Sequence, residues 1–209
     1  MSTQRTPWLT TRDTPALRHM VALSDALSRC VRVVAQTPAS TGASLDAAER
    51  ELTDLDADAT ASLMSFLTAL RSSYVTPLPR QDLYVLAAGV HTAVQRVVGS
   101  GLLVHHGRFD SLPQPALDLL ETIGMQADLL GRVPAQLRDL DTLEETWMQL
   151  LRASRRTDRV LMEWLASLGD DLLQRDFNRQ REIAWAIEAA MQALHEVNVH
   201  LGAVLVRES

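Results

Sequence analysis

The chain has 209 residues, 46% of them apolar and 22% charged, a balance that buries a sizeable core and excludes a disordered tail or a small stapled scaffold. Its 20 basic residues are all Arg, against 26 Asp and Glu, and the net charge of -6 speaks against a general nucleic-acid binder, which needs a basic face to neutralise phosphates. Aromatic residues make up only 4%, Leu and Ala recur throughout, and β-branched runs are short, so the expected class is all-α.

Residues 1–14 hold Pro7 and Trp8 without a sustained period and read as a polar N-terminal arm. From Pro15 onward, Leu17, Val21, Leu23, Leu27, Val31 and Val34 recur near helical spacing and define a first helix. Pro38, Ser40 and Gly42 make Thr37 to Gly42 a connection, after which Ser44 is expected to cap a second long helix ending near Ser73. Pro77 and Pro79 interrupt the backbone ladder. A third helix carries Leu83, Leu86, Val90, Val94 and Val97 and is expected to fray between Gly99 and Gly107. Beyond Pro113 and Pro115 a fourth helix runs to about Leu130, and Pro134 is expected to open a fifth that ends near Gly169. A sixth, starting near Asn178, presents Ile183, Ile187, Ala190, Leu194, Val197, Leu201 and Val204 on its seam.

The two halves echo each other. Leu63-Met64 followed by Leu70 matches Leu161-Met162 followed by Leu168, and Arg80-Gln81 with Leu83 matches Arg179-Gln180 with Ile183. The seam of the third helix maps onto the sixth with a shift of 100 residues at positions 83, 90, 94 and 97. Any two amphipathic helices share a seam, so it is the order of long helix, breaker, long helix in both halves that carries the duplication. The expected form is two pseudo-repeated antiparallel three-helix bundles, residues 15–107 and 108–209, side by side in one compact domain.

The single cysteine, Cys30, excludes an internal disulfide and any cysteine-built metal site, and reads as a small buried hydrophobe. No charged-then-apolar leader and no uncharged apolar run of about 18 residues is visible. The expected location is therefore cytoplasmic, or peripheral at the inner face of the membrane. No Ser-His-Asp order, Gly-rich phosphate loop or His-Glu-x-x-His string points to a hydrolase, kinase or metalloprotease, and no enzymatic activity is expected.

The breaker between the second and third helices is a specific string, Tyr74-Val75-Thr76-Pro77-Leu78-Pro79-Arg80-Gln81-Asp82-Leu83-Tyr84. It resembles the aromatic-Ile-Thr-Pro-Phe-Asp-Arg-Glu-Asp-Ile pattern at the same junction of the PhoU-like family, particularly the branch that accompanies low-affinity Pit phosphate permeases. The run from Glu182-Ile183 to Val206-Arg207 is similar to the last helix of that branch. The resemblance covers the chain from about Glu49 to the end. It implies paired three-helix bundles, a regulatory or accessory role in phosphate uptake, and metal clusters on the bundle face built from Glu-x-x-x-Asp pairs. Residues four apart share a helix face, so two such helices side by side offer several carboxylate oxygens to a hard cation.

Here those pairs are thinned. The register of the Thr-Pro string puts Asp56 and Thr60 at the second-helix pair, and a two-residue shift gives Asp54 and Asp58 instead. The third helix has His91, Thr92 and Gln95 where the family has aspartates. The fifth has Ser154 in place of Glu and keeps Asp158, and the sixth has Glu188 and Gln192. The expectation is no tightly held cofactor, with weak divalent or iron binding at most around Asp54, Asp56, Asp58, His91, Asp158 and Glu188. The three aspartates equally suit a solvated acidic face near a helix start. His91 reads as a polar residue beside the seam unless it faces them, His105 and His106 as exposed turn residues, and His195 and His200 as residues on different faces.

Arg152, Arg155, Arg156 and Arg159 form the dense positive patch, standing equally as a solvated face or as a contact for an acidic partner or anionic lipid. Trp147, Trp164 and Trp185 read as packing residues. The leading expectation is a non-enzymatic accessory protein that docks on a phosphate permease or a phosphate-signalling protein, with homo-oligomerisation and peripheral membrane association compatible and nucleic acid excluded. The rivals are a metal-binding helical bundle, enzyme or storage protein, and a plain helical interaction module without a phosphate role.

Overall fold

Apolar residues at three- and four-residue spacing wind into six helices: α1 (Pro15–Gln36), α2 (Ala43–Ser72), α3 (Arg80–Gly107), α4 (Gln114–Gln136), α5 (Leu140–Ser167) and α6 (Gln174–Glu208), with a 3₁₀ turn at Thr37–Ala39. The computed structural model describes residues 14–39, 42–169 and 172–208. All of the expected arm except Thr14 lies outside them, and no strand occurs among the described residues. None of these helices is long and apolar enough to cross a membrane.

Within the first half α2 packs on α1 and α3, and within the second α5 packs on α4 and α6. The halves meet through α1 against α4 and α3 against α6, so these four helices have partners on both sides. Both cross-half pairs are antiparallel. Gly124 faces Val31 while Gly131 faces Ser24, and Ser28 Oγ donates to Asp128 Oδ1 at 2.8 Å between them. Leu27, Leu52, Phe66, Leu86, Ile123 and Leu150 belong to one continuous buried cluster.

Helix ends follow local chemistry, and several differ from the sequence expectation. Thr14 caps α1, its hydroxyl accepting from Leu17 N–H, and Met20 is buried on the seam where Val21 is only half-buried. Ser44 does not cap α2. The cap lies two residues earlier, at Gly42, whose φ of +52° suits a residue without a Cβ. α3 does not fray at Gly99 but continues to Gly107, because Gly101 lets α1 and α2 approach. A Cβ there would lie 2.7 Å from Val34 and 2.6 Å from Leu52. Pro134 does not open α5 but lies buried in the last turn of α4, where a missing N–H costs one bond just before the helix ends. Asp139 caps α5 instead, accepting from Thr142 N–H at 3.3 Å and from its hydroxyl at 2.9 Å. α6 begins at Gln174, one turn ahead of Asn178.

The tightest approach between the halves is at Gly89 on α3, where a Cβ would sit 2.4 Å from Val197 Cγ2 on α6. Val197 is β-branched and has one strongly preferred rotamer in a helix, so it cannot swing away freely. Gly99, in contrast, has open space around its missing Cβ. Gly89→Ala is therefore expected to lower stability by ~1–3 kcal/mol through overpacking, whereas Gly99→Ala raises it by about 1 kcal/mol through helix propensity. Thermal melts of the two variants should move in opposite directions from the parent chain.

Candidate functional site

The distinctive string between α2 and α3 folds into a clasp. Thr76 Oγ1 donates to the Leu78 carbonyl at 2.7 Å, Arg80 Nη2 donates to the Ser73 carbonyl at 2.5 Å, and Leu78 is buried. Tyr74 is 99% exposed and Val75 is also exposed, so the front of the string faces solvent. Asp82, in the first turn of α3, is buried and holds α6. Arg207 Nη2 donates to its Oδ2 at 2.5 Å, and His200 Nε2 lies 3.1 Å from its Oδ1. At the other end of the same helix pair, the Arg179 guanidinium donates to the carbonyls of Gly107 and Arg108 and stacks 4.4 Å over Phe109.

The register implied by the Thr-Pro string is the one that turns inward. Asp56 and Thr60 are half-buried, and Thr60 Oγ1 is 3.0 Å from His91 Nε2 on α3. Asp54 and Asp58 are exposed, and Asp58 lines a groove of about 400 Å³ between α1 and α2 with His19, Asp25 and Arg29. Thr92 is half-buried and Gln95 exposed. Burial lowers the His91 pKa below its ordinary 6.5, and the Asp56 carboxylate only partly opposes this. Asp56 Oδ1 is buried without a hydrogen-bond partner.

In the second half Ser154 has a different environment from a metal ligand. It is buried, and its Oγ receives Asn198 Nδ2 at 2.8 Å from α6 and Gln126 Nε2 at 3.2 Å from α4. Trp147 Nε1 donates to the Asn198 carbonyl at 3.0 Å, its indole packed against the bare backbone of Gly202. Asp158 and Gln192 are exposed and Glu188 is half-buried. Among the described residues, neither the Asp54–Asp58 and His91 set nor Asp158 with Glu188 brings three potential ligand atoms within 4.8 Å; Glu49, His105 and His106 do. Sequence reasoning missed Glu49, because its place beside the two histidines depends on how α2 and α3 pair.

His105 is not the exposed turn residue expected, since its side chain is 11% exposed, while His106 is 65% exposed. Trp164 is buried as expected, donating to Gln180 Oε1 at 3.2 Å, but Trp185 is 52% exposed beneath the Arg181 guanidinium. Burial also holds the Cys30 thiol up at about 12, which makes it inert.

The arginine cluster on α5 divides. Arg152 and Arg156 line a groove of about 420 Å³ between α4 and α5, together with Arg132, Asp128 and the apolar Met125, Leu129 and Ala153. Arg155 and Arg159 are exposed but do not line this groove. Arg132, supplied by α4, was invisible to a reading confined to one helix. Arg152 also borders a depression lined by Asp141, Glu144 and Glu145, so the positive character is strongest on the Arg132 and Arg156 side.

Among the described residues this geometry defines an all-α protein of six long helices, with an ionic contact from the buried Asp82 between its halves and a basic groove on the second half. No protein-family model and no curated protein sequence matches the chain. Among solved structures it is similar to a PhoU-like protein from Shewanella oneidensis MR-1, with a TM-score of 0.71 and 14% identity over 92% of this chain and 99% of that one. It is also similar to a second protein from the same organism, described as a PhoU-like phosphate regulatory protein, with a TM-score of 0.68 and 15% identity over the same shares. At these identities the likeness is one of fold, and the fold is PhoU-like.

Two outcomes follow from the site. The folded protein holds the His91 proton more weakly than the unfolded chain, so the neutral ring contributes stability that is present above 6.5 and lost as pH falls below it toward the folded value. His91→Gln should flatten the decline in denaturation midpoint between about pH 7 and pH 5. Asp82→Ala should cost ~1–3 kcal/mol in urea unfolding; the loss is moderated because Arg207 is half-exposed and can rehydrate.

Proposed function

We propose that this chain is a regulatory or accessory protein of inorganic phosphate transport, of the branch that accompanies Pit permeases, acting on the cytoplasmic side by protein contact and not by catalysis. Its PhoU-like fold along 92% of the chain supports this, together with the Thr-Pro string at the α2–α3 junction. The observation that carries the docking mode is the α4–α5 groove, where Arg132, Arg152 and Arg156 surround an apolar floor of Leu129 and Ala153. Guanidinium groups stay charged and grip carboxylates with two parallel hydrogen bonds, while the apolar floor adds affinity insensitive to salt. An acidic segment of a permease or signalling protein is the occupant that matches.

Co-purification from the native cells, followed by mass spectrometry, tests this. A phosphate permease or phosphate-signalling protein should be enriched at low salt and weakened as salt rises, because exposed charges are screened over about 8 Å at physiological ionic strength. Replacing Arg132, Arg152 and Arg156 with Gln should weaken capture about tenfold or more and flatten the salt dependence, with Arg155→Gln and Arg159→Gln having smaller effects. Capture of the same partner with unchanged salt dependence by the triple variant would remove the groove from the docking surface. Binding of the triple-Arg groove to anionic vesicles alone would move the contact from protein to lipid.

A further inference from the structure

Near the start of α2 and the end of α3 three side chains from outside the family's carboxylate positions converge. Glu49 Oε2 is 3.0 Å from His105 Nε2 and its Oε1 is 3.4 Å from His106 Nε2, and one ligand atom from each residue lies within 4.8 Å of the others. Adjacent residues on a helix point apart, but imidazole is long enough for both ring edges to turn onto one carboxylate, and the two rings stand edge to face at 4.8 Å. We infer that Glu49, His105 and His106 form a binding site for a divalent transition-metal ion of the zinc class.

The donor set selects the metal. Two imidazole nitrogens and a carboxylate suit borderline ions such as zinc, whereas magnesium and calcium want six or more oxygens. Ligands about 2.0 Å from a tetrahedral ion stand about 3.3 Å apart. Each carboxylate oxygen already stands near that distance from one imidazole, and a set spread over up to 4.8 Å would have to draw together around the ion, which the exposed His106 ring is free to do. Three protein ligands leave the fourth position to water, which reaches the site past the exposed His106.

The scaffold supports a cation there. His105 is largely buried and therefore oriented by packing. The end of α3 is pinned, since Arg108 adopts the left-handed conformation at φ +47° and its N–H bonds the His105 carbonyl at 3.1 Å. Arg179 from α6 holds the Gly107 and Arg108 carbonyls. The negative end of the α3 dipole also favours positive charge at this terminus. A bound ion would cross-link α2 to α3 at the end of the bundle opposite the Thr-Pro clasp.

The test uses the full chain stripped with chelator and titrated with zinc. One zinc per chain should bind, and cobalt in its place should give the visible absorption of a four- or five-coordinate site. His106→Ala and Glu49→Gln should each weaken zinc binding at least ~10-fold, while His195→Ala, on an exposed face of α6, should leave it unchanged. Zinc should raise the melting temperature of the parent chain and not that of His106→Ala, which changes an exposed ring and is expected to fold normally. Absence of stoichiometric binding, or binding and cobalt absorption unaffected by both substitutions, would overturn the assignment.

Discussion

The antiparallel seam between α3 and α6 is the contact on which the rest of the molecule depends. Its middle is set by sterics, with the bare backbone of Gly89 receiving Val197, and its two ends by charge. Asp82 holds Arg207 at one end, and Arg179 holds the last carbonyls of α3 at the other. Close packing in the centre removes water from the seam, while ionic and polar contacts at the ends resist sliding by a helical turn. α2 rests on α3, where Thr60 meets His91, and α5 rests on α6, so each half is joined to the other through this seam.

Neutral polar groups, not carboxylates, meet at two of the inter-helix positions. His91 meets Thr60 where a metal site would want oxygens, and Ser154 receives two amide donors in the dry space between α4, α5 and α6. A buried network of this kind favours one packing over others, because each misaligned arrangement strands a polar atom. Asp56 Oδ1 and Asn198 Oδ1 are both buried without partners, so the polar satisfaction is not complete.

Helix identity was legible because the seams of α1, α3 and α6 repeat at three and four residues, a period that only a helix places on one face. Helix ends were less so. Pro134 carries the same local signal whether it opens a helix or closes one, and only the cap at Asp139 separates the two. The fate of Gly99 to Gly107 depended on Val34 and Leu52, residues that no local window contains. The inward register at Asp56 was available from the string at Thr76-Pro77, whereas pairing of Glu49 with His105, and of Arg132 with Arg156, required knowing which helices lie side by side. Trp185 was misread because its place on α6 turns it outward, where an arginine one turn earlier stacks on a ring that stays half-exposed.

The grooves of the two halves carry opposite balances, two carboxylates against one guanidinium between α1 and α2, and three guanidiniums against one carboxylate between α4 and α5. Yet the whole net charge of -6 falls on residues 108–209, so the three guanidiniums are a local basic patch on the more acidic half. An acidic partner is therefore repelled by the surrounding carboxylates until it comes within reach of the groove, so attraction acts only at short range. Orientation is then selected at contact rather than during diffusion, and only a partner whose charges fit between Arg132, Arg152 and Arg156 gains from the encounter.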